Sequence, residues 1–421
     1  MPQQFYISFR SNFHSDPFFF AAQLLVLGIV IAMTRAFAVV SLFEAILVFL
    51  FLSHPGLRRA FAEVLKDPRV FMVMAFWGWV AIATLWGSAT LEERFEEWWS
   101  WRKLLLVPMC FILFRDVRTK VAFLWTLIGI CSVYMIFSWL GQLGFVSLDR
   151  PAAHLLENHS TQGILFVGAC IAGLGLAQYH SSSWRLWLLV ILLNVGFISN
   201  IIWVSTGRSA YLSLLTMAAV FAFMSVSRHR IQMAALTIVF ASSFLYFSDN
   251  SRGRIYQAVD EAVNAFDDDR PYTSLGVRVV MWRTSLEMIK HAPLLGSGSG
   301  SFQHDYGQIS QELNGWRRLV SSDPHQQYLN IAAEQGLFGL IIFCMIPILF
   351  FRSHIQPNNR IFVVIGWCIL TSTIMTSMAN GHFNTFVEGR FVWISISILF
   401  AGTAFDAFSM GQHRGEAGGR G

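Results

Sequence analysis

Stretches of apolar residues separated by short polar links make up most of the 421-residue chain. About 20 apolar residues carry a helix across the hydrocarbon core of a bilayer, so we interpret these stretches as membrane-spanning helices. The pattern predicts an all-α polytopic membrane protein with about twelve spans. They are Phe18–Thr34, Ala36–Leu52, Phe71–Trp86, Leu104–Phe114, Val121–Val146, Ile164–Gln178, Leu186–Val204, Tyr211–Val226, Ile231–Phe247, Leu337–Phe351, Ile361–Met378 and Phe391–Phe405.

One polar interval is much longer than the other links and falls between the ninth and tenth predicted spans. It divides the chain into spans one to nine at 1–247, a large loop at 248–326, spans ten to twelve at 327–405 and a tail at 406–421. The loop is rich in Arg, His and Gly, so we expect it to carry the catalytic residues.

Lys and Arg are unevenly distributed over the links. The links predicted to be cytoplasmic hold fifteen of them and the short links on the other side hold seven. The large loop is not counted, because long segments cross a membrane regardless of their charge. This asymmetry predicts cytoplasmic termini and a large loop on the opposite, outer side of the membrane.

The segment Ser88–Lys103 is polar yet dense in aromatic residues. Trp98, Trp99 and Trp101 suit the headgroup region of a bilayer, which is enriched in tryptophan. We expect a helix lying in the outer interface, with the basic pair that ends at Lys103 close to anionic lipid.

The composition supports a membrane protein and argues against nucleic-acid binding. Hydrophobic residues make up 55% of the chain and charged residues only 13%, with a mean hydropathy of +0.52. The net charge of +5 comes from basic residues placed mainly in the links, where they set topology. The five cysteines lie in apolar runs without CxxC spacing, so we expect buried thiols rather than disulfides or a zinc site.

Arg208 begins the eighth predicted span within the polar sequence STGRSA. It is either an interface anchor that extends towards water or a ligand for phosphate. The planar guanidinium can donate two parallel hydrogen bonds to a phosphate group, which favours the second role among such small neighbours.

The large loop carries a predicted helix with Arg278 and Arg283, followed by a glycine-rich segment at residues 296–300. Five residues on a helix place the two arginines about 140° apart, so they face different surroundings. Arg278 shares its face with Trp282. The GSGSG segment is either a flexible turn or a set of backbone amides that approach a phosphate; it lacks the lysine of a P-loop.

His325 follows Asp323 and Pro324 and precedes the tenth predicted span. Aspartate suits a helix cap and proline suits a first helical turn, so we expect His325 in the first turn of that helix. The histidine is either structural or a general base, since neutral imidazole accepts protons near pH 7.

These pieces resemble the O-antigen ligase and polymerase superfamily, and most closely the lipopolysaccharide O-antigen ligases. The resemblance rests on about twelve spans with one large outer loop and on three segments. These are TGRSA with Arg208, the stretch from GVRVV to GSGSGSF with Arg278, and PHQQYLNIAAEQGLFG with His325. The last is similar to the family's His-Asn-x-x-Leu…Glu-x-Gly-x-x-Gly signature through His325, Leu329, Glu334, Gly336 and Gly339, with Gln326 where Asn often stands.

The resemblance implies an inverting, metal-independent glycosyltransferase that needs no cofactor. It would move O-antigen polysaccharide from undecaprenyl diphosphate to the lipid A–core oligosaccharide at the periplasmic face. Arg208 and Arg278 would hold the diphosphate, and His325 would deprotonate the acceptor hydroxyl. Further substrate contacts are expected from Arg283, Gln326, His159, Glu388 and Arg390.

Three other functions remain open. Within the same superfamily the chain would be an O-antigen polymerase or a protein O-oligosaccharyltransferase. Outside it, twelve helices would also suit a transporter, although the spans show few ionisable residues at mid-depth. The acidic run Asp267–Asp269 is either a magnesium site or a solvated loop, and we favour the loop.

Overall fold

The computed structural model describes residues 16–403 except 147–154, 157, 181, 206, 226–228, 248–252, 254, 255, 258, 262–272, 314 and 319. Every regular element in this part of the chain is a helix. The helices are α1 Pro17–Ala32, α2 Phe37–Ser53, α3 Pro55–Val64, α4 Pro68–Ala83, α5 Leu91–Ser100, α6 Leu106–Leu113, α7 Val117–Gln142, α8 His159–Tyr179, α9 Trp184–Trp203, α10 Arg208–Ser225, α11 Arg230–Phe247, α12 Ser274–His291, α13 Phe302–Ser310, α14 Gln327–Phe351, α15 Arg360–Thr376 and α16 Val387–Phe400.

The apolar helices differ in length. Among the described residues, six helical stretches are long and apolar enough to cross a membrane: α7, α8, α9, α10, α14, and α15 together with the turn before it. Helices α2 and α3 add a seventh if they form one span, bent by 97°. Helices α1 and α4 are shorter and apolar. An all-α membrane protein is therefore confirmed, while the count of twelve spans stays a prediction.

Helix α8 occupies the centre of the bundle, surrounded by α7, α9, α10, α15 and α16. Its buried Gln162 donates to the side chains of Ser138 on α7 and Asn200 on α9, at 3.1 and 3.0 Å. Inside a bundle these polar groups have no water to bond, so they satisfy one another. This network fixes the rotation of α8, whose first turn lies beside the start of α10.

The links predicted to be cytoplasmic meet at one end of the bundle. Arg69 is buried and donates to the hydroxyls of Ser353 and Thr403, at 2.7 Å each. Lys120, expected in a link, instead lies within α7 and is buried, with its ammonium donating to the carbonyl of Ala401 at 2.7 Å. The basic residues at this end are thus partly structural.

The opposite end is built on α5 and the loop between α15 and α16. Helix α5 begins with a capping box between Thr90 and Glu93, and its Phe95 and Trp99 are exposed. An interfacial helix was expected here, and this apolar surface suits it. Lys103 does not reach towards lipid, because it is buried and donates to the carbonyls of Asn384 and Thr385.

Helix α14 is broken at Gly336, whose φ of 69° and ψ of −175° are not helical. The break frees backbone groups on both sides, and a segment of the large loop bonds them. The amides of Leu337 and Phe338 donate to the carbonyls of Pro293 and Leu294, at 2.9 and 3.2 Å. Irregular backbone inside a bundle requires such partners, so the loop and α14 form one structure.

Candidate functional site

Arg208 is the first residue of α10, and it lies against the first turn of α8. The preceding Gly207 packs on the backbone of His159 and Ser160, where a Cβ would come within 3.1–3.2 Å. The Arg208 guanidinium faces the buried Glu261, with Nη2 3.7 Å from Oε2. Arg208 is therefore a half-buried cation held at the end of the bundle.

Glu261 connects Arg208 to the helix that carries the second candidate arginine. Besides facing Arg208, its Oε2 accepts a hydrogen bond from the amide of Leu275 at 2.9 Å, in the first turn of α12. Thr273 caps the same helix through the amide of Gly276 at 3.1 Å. The position of α12 is thus set by the same carboxylate that faces Arg208.

Arg278 projects from α12 towards the loop between α15 and α16. Its Nη2 donates to Oδ1 of Asn380 at 3.3 Å, and Asn380 donates onward to the Ser209 hydroxyl at 2.7 Å. Burial lowers the pKa of Arg278, and the nearby positive charge of Arg208 lowers it further. Two neighbouring guanidinium groups form a site suited to an anion.

Arg283 lies on a different face of α12 and is exposed, as the spacing predicted. Trp282, by contrast, lies on the Arg278 side and donates from its indole nitrogen to the carbonyl of Pro324 at 3.1 Å. This bond ties α12 to the turn that contains His325. The structure therefore brings Arg208, Arg278 and the His325 turn together and leaves Arg283 apart.

His325 precedes α14 rather than lying in its first turn, so the predicted helix start was wrong. The helix begins at Gln327, and the cap is Gln326, whose side-chain oxygen accepts from the Leu329 amide at 2.5 Å. Asp323 caps nothing in α14; it bonds the amide of His325 at 2.8 Å instead. The side-chain oxygen of Gln326 thus has a structural partner, and a substrate contact by this residue stays a prediction.

The backbone of His325 is unusual, because its φ is +51°. Residues other than glycine rarely adopt this left-handed conformation, and they do so where the surroundings enforce it. Its imidazole remains about half exposed, with Nδ1 3.7 Å from Oδ2 of Asp323. The side chain is therefore accessible to a ligand at the end of the bundle that carries α5 and the loop between α15 and α16.

The loop between α15 and α16 contributes residues that the sequence did not indicate. His382 is buried, with Nδ1 3.9 Å from Oε1 of Glu388, which also accepts from the Thr161 hydroxyl at 2.5 Å. Burial lowers the pKa of His382, and Glu388 acts in the opposite direction. Its Nε2 and the Oε2 of Glu388 have no hydrogen-bond partner among the described residues.

The remaining predicted contacts are less accessible. Arg390 is buried in an ion pair with Glu44, with N–O distances of 2.6 and 3.1 Å, and stacks on Phe386. Its guanidinium is fully engaged, which favours a structural role over the predicted sugar contact. Glu388 is buried behind Thr161, and His159 is half-buried at the start of α8. Sugar contacts by these two stay predictions.

The glycine-rich segment is neither a flexible turn nor a phosphate cradle. The amides of Ser297 and Gly298 donate to the carbonyls of Ala333 and Glu334 at 2.9 and 2.8 Å, and that of Ser299 donates to Ala83 at 3.1 Å. Gly298, at φ +96°, packs directly on the backbone of Gly87. Its amides are therefore used within the protein, and the segment joins α14 to α4.

No group of three or more His, Cys, Asp or Glu side chains is arranged for a metal ion among the described residues. The acidic run Asp267–Asp269 lies outside them.

The arrangement has two cations at the ends of different helices and an accessible imidazole on an adjoining turn. Residues 193–344 match the O-antigen ligase family. The predicted resemblance to that superfamily is thus confirmed over this range, which contains Arg208, Arg278, Arg283, His325 and Gln326. His159, Glu388 and Arg390 lie outside the family match.

A curated relative gives a more limited comparison. An uncharacterized protein of Haemophilus influenzae is 30% identical to this chain over 110 residues. The aligned part covers 25% of this chain and 28% of the relative. The O-antigen ligase match therefore carries more information about the site than this relative does.

Proposed function

We propose that the protein is an O-antigen ligase. It transfers an O-antigen glycan from undecaprenyl diphosphate to the lipid A–core oligosaccharide, at the periplasmic face of a bacterial inner membrane. The observation that carries the proposal is a chain of contacts that brings the two arginines together beside the turn that holds His325. Asn380 bonds both Arg278 and Ser209, the residue after Arg208, and Glu261 faces Arg208 and bonds the start of the helix that carries Arg278. The family match over residues 193–344 gives the reaction class.

The arginines stabilise the leaving group. As the bond between the anomeric carbon and the diphosphate oxygen breaks, the electron pair stays on the diphosphate and its negative charge grows. Guanidinium groups held in place by Glu261 and Asn380 need no reorganisation at that moment, which makes their stabilisation effective. No metal ion is required for this role.

His325 activates the acceptor. A sugar hydroxyl of the core attacks the anomeric carbon from the side opposite the diphosphate, so the configuration is inverted. The hydroxyl proton passes to the imidazole as the new C–O bond forms. A positioned base contributes roughly 10²–10⁴-fold to such a step.

The contacts between links support the proposed topology. Residues from links assigned to the cytoplasm, such as Arg69 and Ser353, contact each other. Those assigned to the periplasm also contact each other, as Arg35 does with the carbonyl of Leu155 at 2.6 Å. Alternating spans would produce this separation, with the candidate site at the periplasmic end.

The test is transfer by the purified full-length chain, with undecaprenyl diphosphate-linked glycan as donor and lipid A–core as acceptor. We expect His325→Ala to lose at least about 100-fold in rate while still binding donor, and activity to persist with a chelator. Activity should also fall on acidification, because a protonated imidazole cannot accept the hydroxyl proton. Near-normal transfer by His325→Ala would remove the histidine from the mechanism.

A deletion strain distinguishes the ligase from the alternatives. Loss of a ligase leaves core-only lipopolysaccharide while lipid-linked glycan persists in the membrane. A strain that still attaches a single O-unit to the core would identify a polymerase instead. Unchanged lipopolysaccharide would exclude both and favour protein glycosylation or transport.

A further inference from the structure

The carboxylate of Asp323 makes two contacts with the same residue. Its Oδ1 accepts a hydrogen bond from the backbone amide of His325 at 2.8 Å. Its Oδ2 lies 3.7 Å from Nδ1 of the His325 imidazole. One side chain thus bonds the backbone of the proposed base and lies close to its ring.

The carboxylate itself lies next to the loop between α15 and α16. A Cβ on Gly381 would lie 3.2 Å from Oδ2 of Asp323, so the loop backbone passes directly against this oxygen. The carbonyl of Pro324 is bonded by Trp282, and Gln326 caps the next helix. The turn is therefore restrained on both sides of His325.

This restraint explains the left-handed backbone of His325. The hydrogen bond from its amide to Asp323 closes a turn in which the aspartate side chain takes the place of a backbone carbonyl. A non-glycine residue at φ +51° is disfavoured, and it persists where neighbouring contacts enforce it. Here the contacts come from Asp323, Trp282 and Gln326.

We propose that Asp323 is the positioning residue for His325, which fixes the orientation and the tautomer of the imidazole for acceptor deprotonation. Nδ1 is the ring nitrogen on the carboxylate side, at 3.7 Å from Oδ2, so the negative charge favours the tautomer with its proton on Nδ1 and leaves the lone pair of Nε2 for the acceptor. When Nε2 takes the hydroxyl proton, the negative charge of Asp323 stabilises the imidazolium. This inference rests on the proposed base role of His325.

Charged and titratable groups from the packed elements also act on Asp323. They are Arg278 of α12, His382 of the loop before α16, and Glu97 of α5. Arg278 places a positive charge near the carboxylate. An ionised Asp323 is the state that the proposal requires.

Two substitutions distinguish the effect of the hydrogen bond that closes the turn from the effect of the negative charge on Asp323. Asp323→Asn keeps an oxygen for the His325 amide but removes the negative charge, and we expect kcat to fall about 10-fold with the KM for the lipid-linked donor unchanged. Asp323→Ala removes both contacts, and we expect a loss of about 100-fold, since a base displaced by about 1 Å can cost that much.

The pH profile of kcat/KM is the readout that would not change if Asp323 had only a structural role. Without the carboxylate the imidazolium is less stable, so the acidic limb of kcat/KM should move to lower pH in Asp323→Asn. Asp305→Asn is the matched control, because Asp305 lies 3.1 Å from Nδ1 of His304 in the same loop, and it should change neither rate nor profile.

Two results would overturn the inference. One is an Asp323→Asn enzyme with the wild-type rate and pH profile while His325→Ala is inactive, which leaves the proposed base intact. The other is an equal loss in Asp323→Asn and Asp323→Ala with an unmoved profile, which reduces Asp323 to a fold determinant. Activity in His325→Ala would instead contradict the proposed function itself.

Discussion

At the scale of single residues, Arg278 and Arg283 show how far spacing on a helix can be used. Their separation predicted different faces, and Trp282 was correctly placed on the face of Arg278. What spacing cannot supply is the partner, because Asn380 reaches Arg278 from a loop far along the chain. Asn380, Glu261 and His382 carried no local signal: each is a lone polar residue whose role depends on tertiary contacts.

The two arginines on α12 make a matched pair for substitution. We expect Arg278→Ala to lower transfer by at least about 100-fold, in the range found when one transition-state donor is removed. Arg278→Lys should recover little, because it keeps the charge and loses the planar pair of donors. Arg283→Ala should stay within a few-fold of wild type, and the same transfer assay measures all three. Equal losses at both positions would contradict the distinct role of Arg278.

His382 predicts a pH dependence of stability rather than of chemistry. Burial lowers its pKa below the ordinary value, so the unfolded chain takes up a proton at a pH where the folded protein does not. Stability is therefore fully present above about pH 6.5 and falls as the pH drops below it. Melting temperature measured against pH in detergent should show this fall.

Two variants identify the source of that fall. His382→Gln should flatten the dependence below about pH 6.5, while His291→Gln, at an exposed position on α12, should leave it as in wild type. A slope retained in His382→Gln would assign the effect to another group.

At the scale of elements, the apolar runs located the helices well, because burial and membrane crossing both require continuous apolar sequence. Helix ends were less predictable. The Asp323-Pro324 pair has the composition of a helix start. The cap is instead Gln326, whose side-chain oxygen accepts from the backbone amide of Leu329. The glycine-rich segment was also misread, since glycine serves a close backbone contact as often as it serves mobility.

The break in α14 can be tested by adding one methyl group. Gly336→Ala would place a Cβ onto the carbonyl of Leu294 at a backbone φ of +69°. With ψ at −175° this backbone region is almost confined to glycine and costs another residue about 1–3 kcal/mol, and the overlap adds roughly 1–3 kcal/mol, so we expect a clear loss of thermal stability. Gly307→Ala is the control: nothing lies within 4 Å of the added Cβ and alanine favours the helix α13, so this variant should melt at or slightly above the wild-type temperature.

At the scale of the whole molecule, charge asymmetry predicted an orientation that labelling can check. Single cysteines at His291 and Asn358, both exposed, would be placed in a chain lacking its five native cysteines. We expect a membrane-impermeant maleimide to label His291→Cys in cells with a permeabilised outer membrane, and Asn358→Cys only after lysis. The reverse pattern would place the candidate site in the cytoplasm and remove it from lipid-linked donors.

The hydrogen bonds that join the loop segment 293–299 to α14 and α4 have a consequence for exchanging segments between related proteins. The loop before α13 supplies the hydrogen-bond partners that α14 lacks at Gly336, and it receives its own from α4. A loop transplanted alone would leave unpaired amides and carbonyls inside a host bundle. Chimeras that alter glycan or acceptor preference should therefore exchange residues 273–351 as one cassette, together with the end of α4 that receives them.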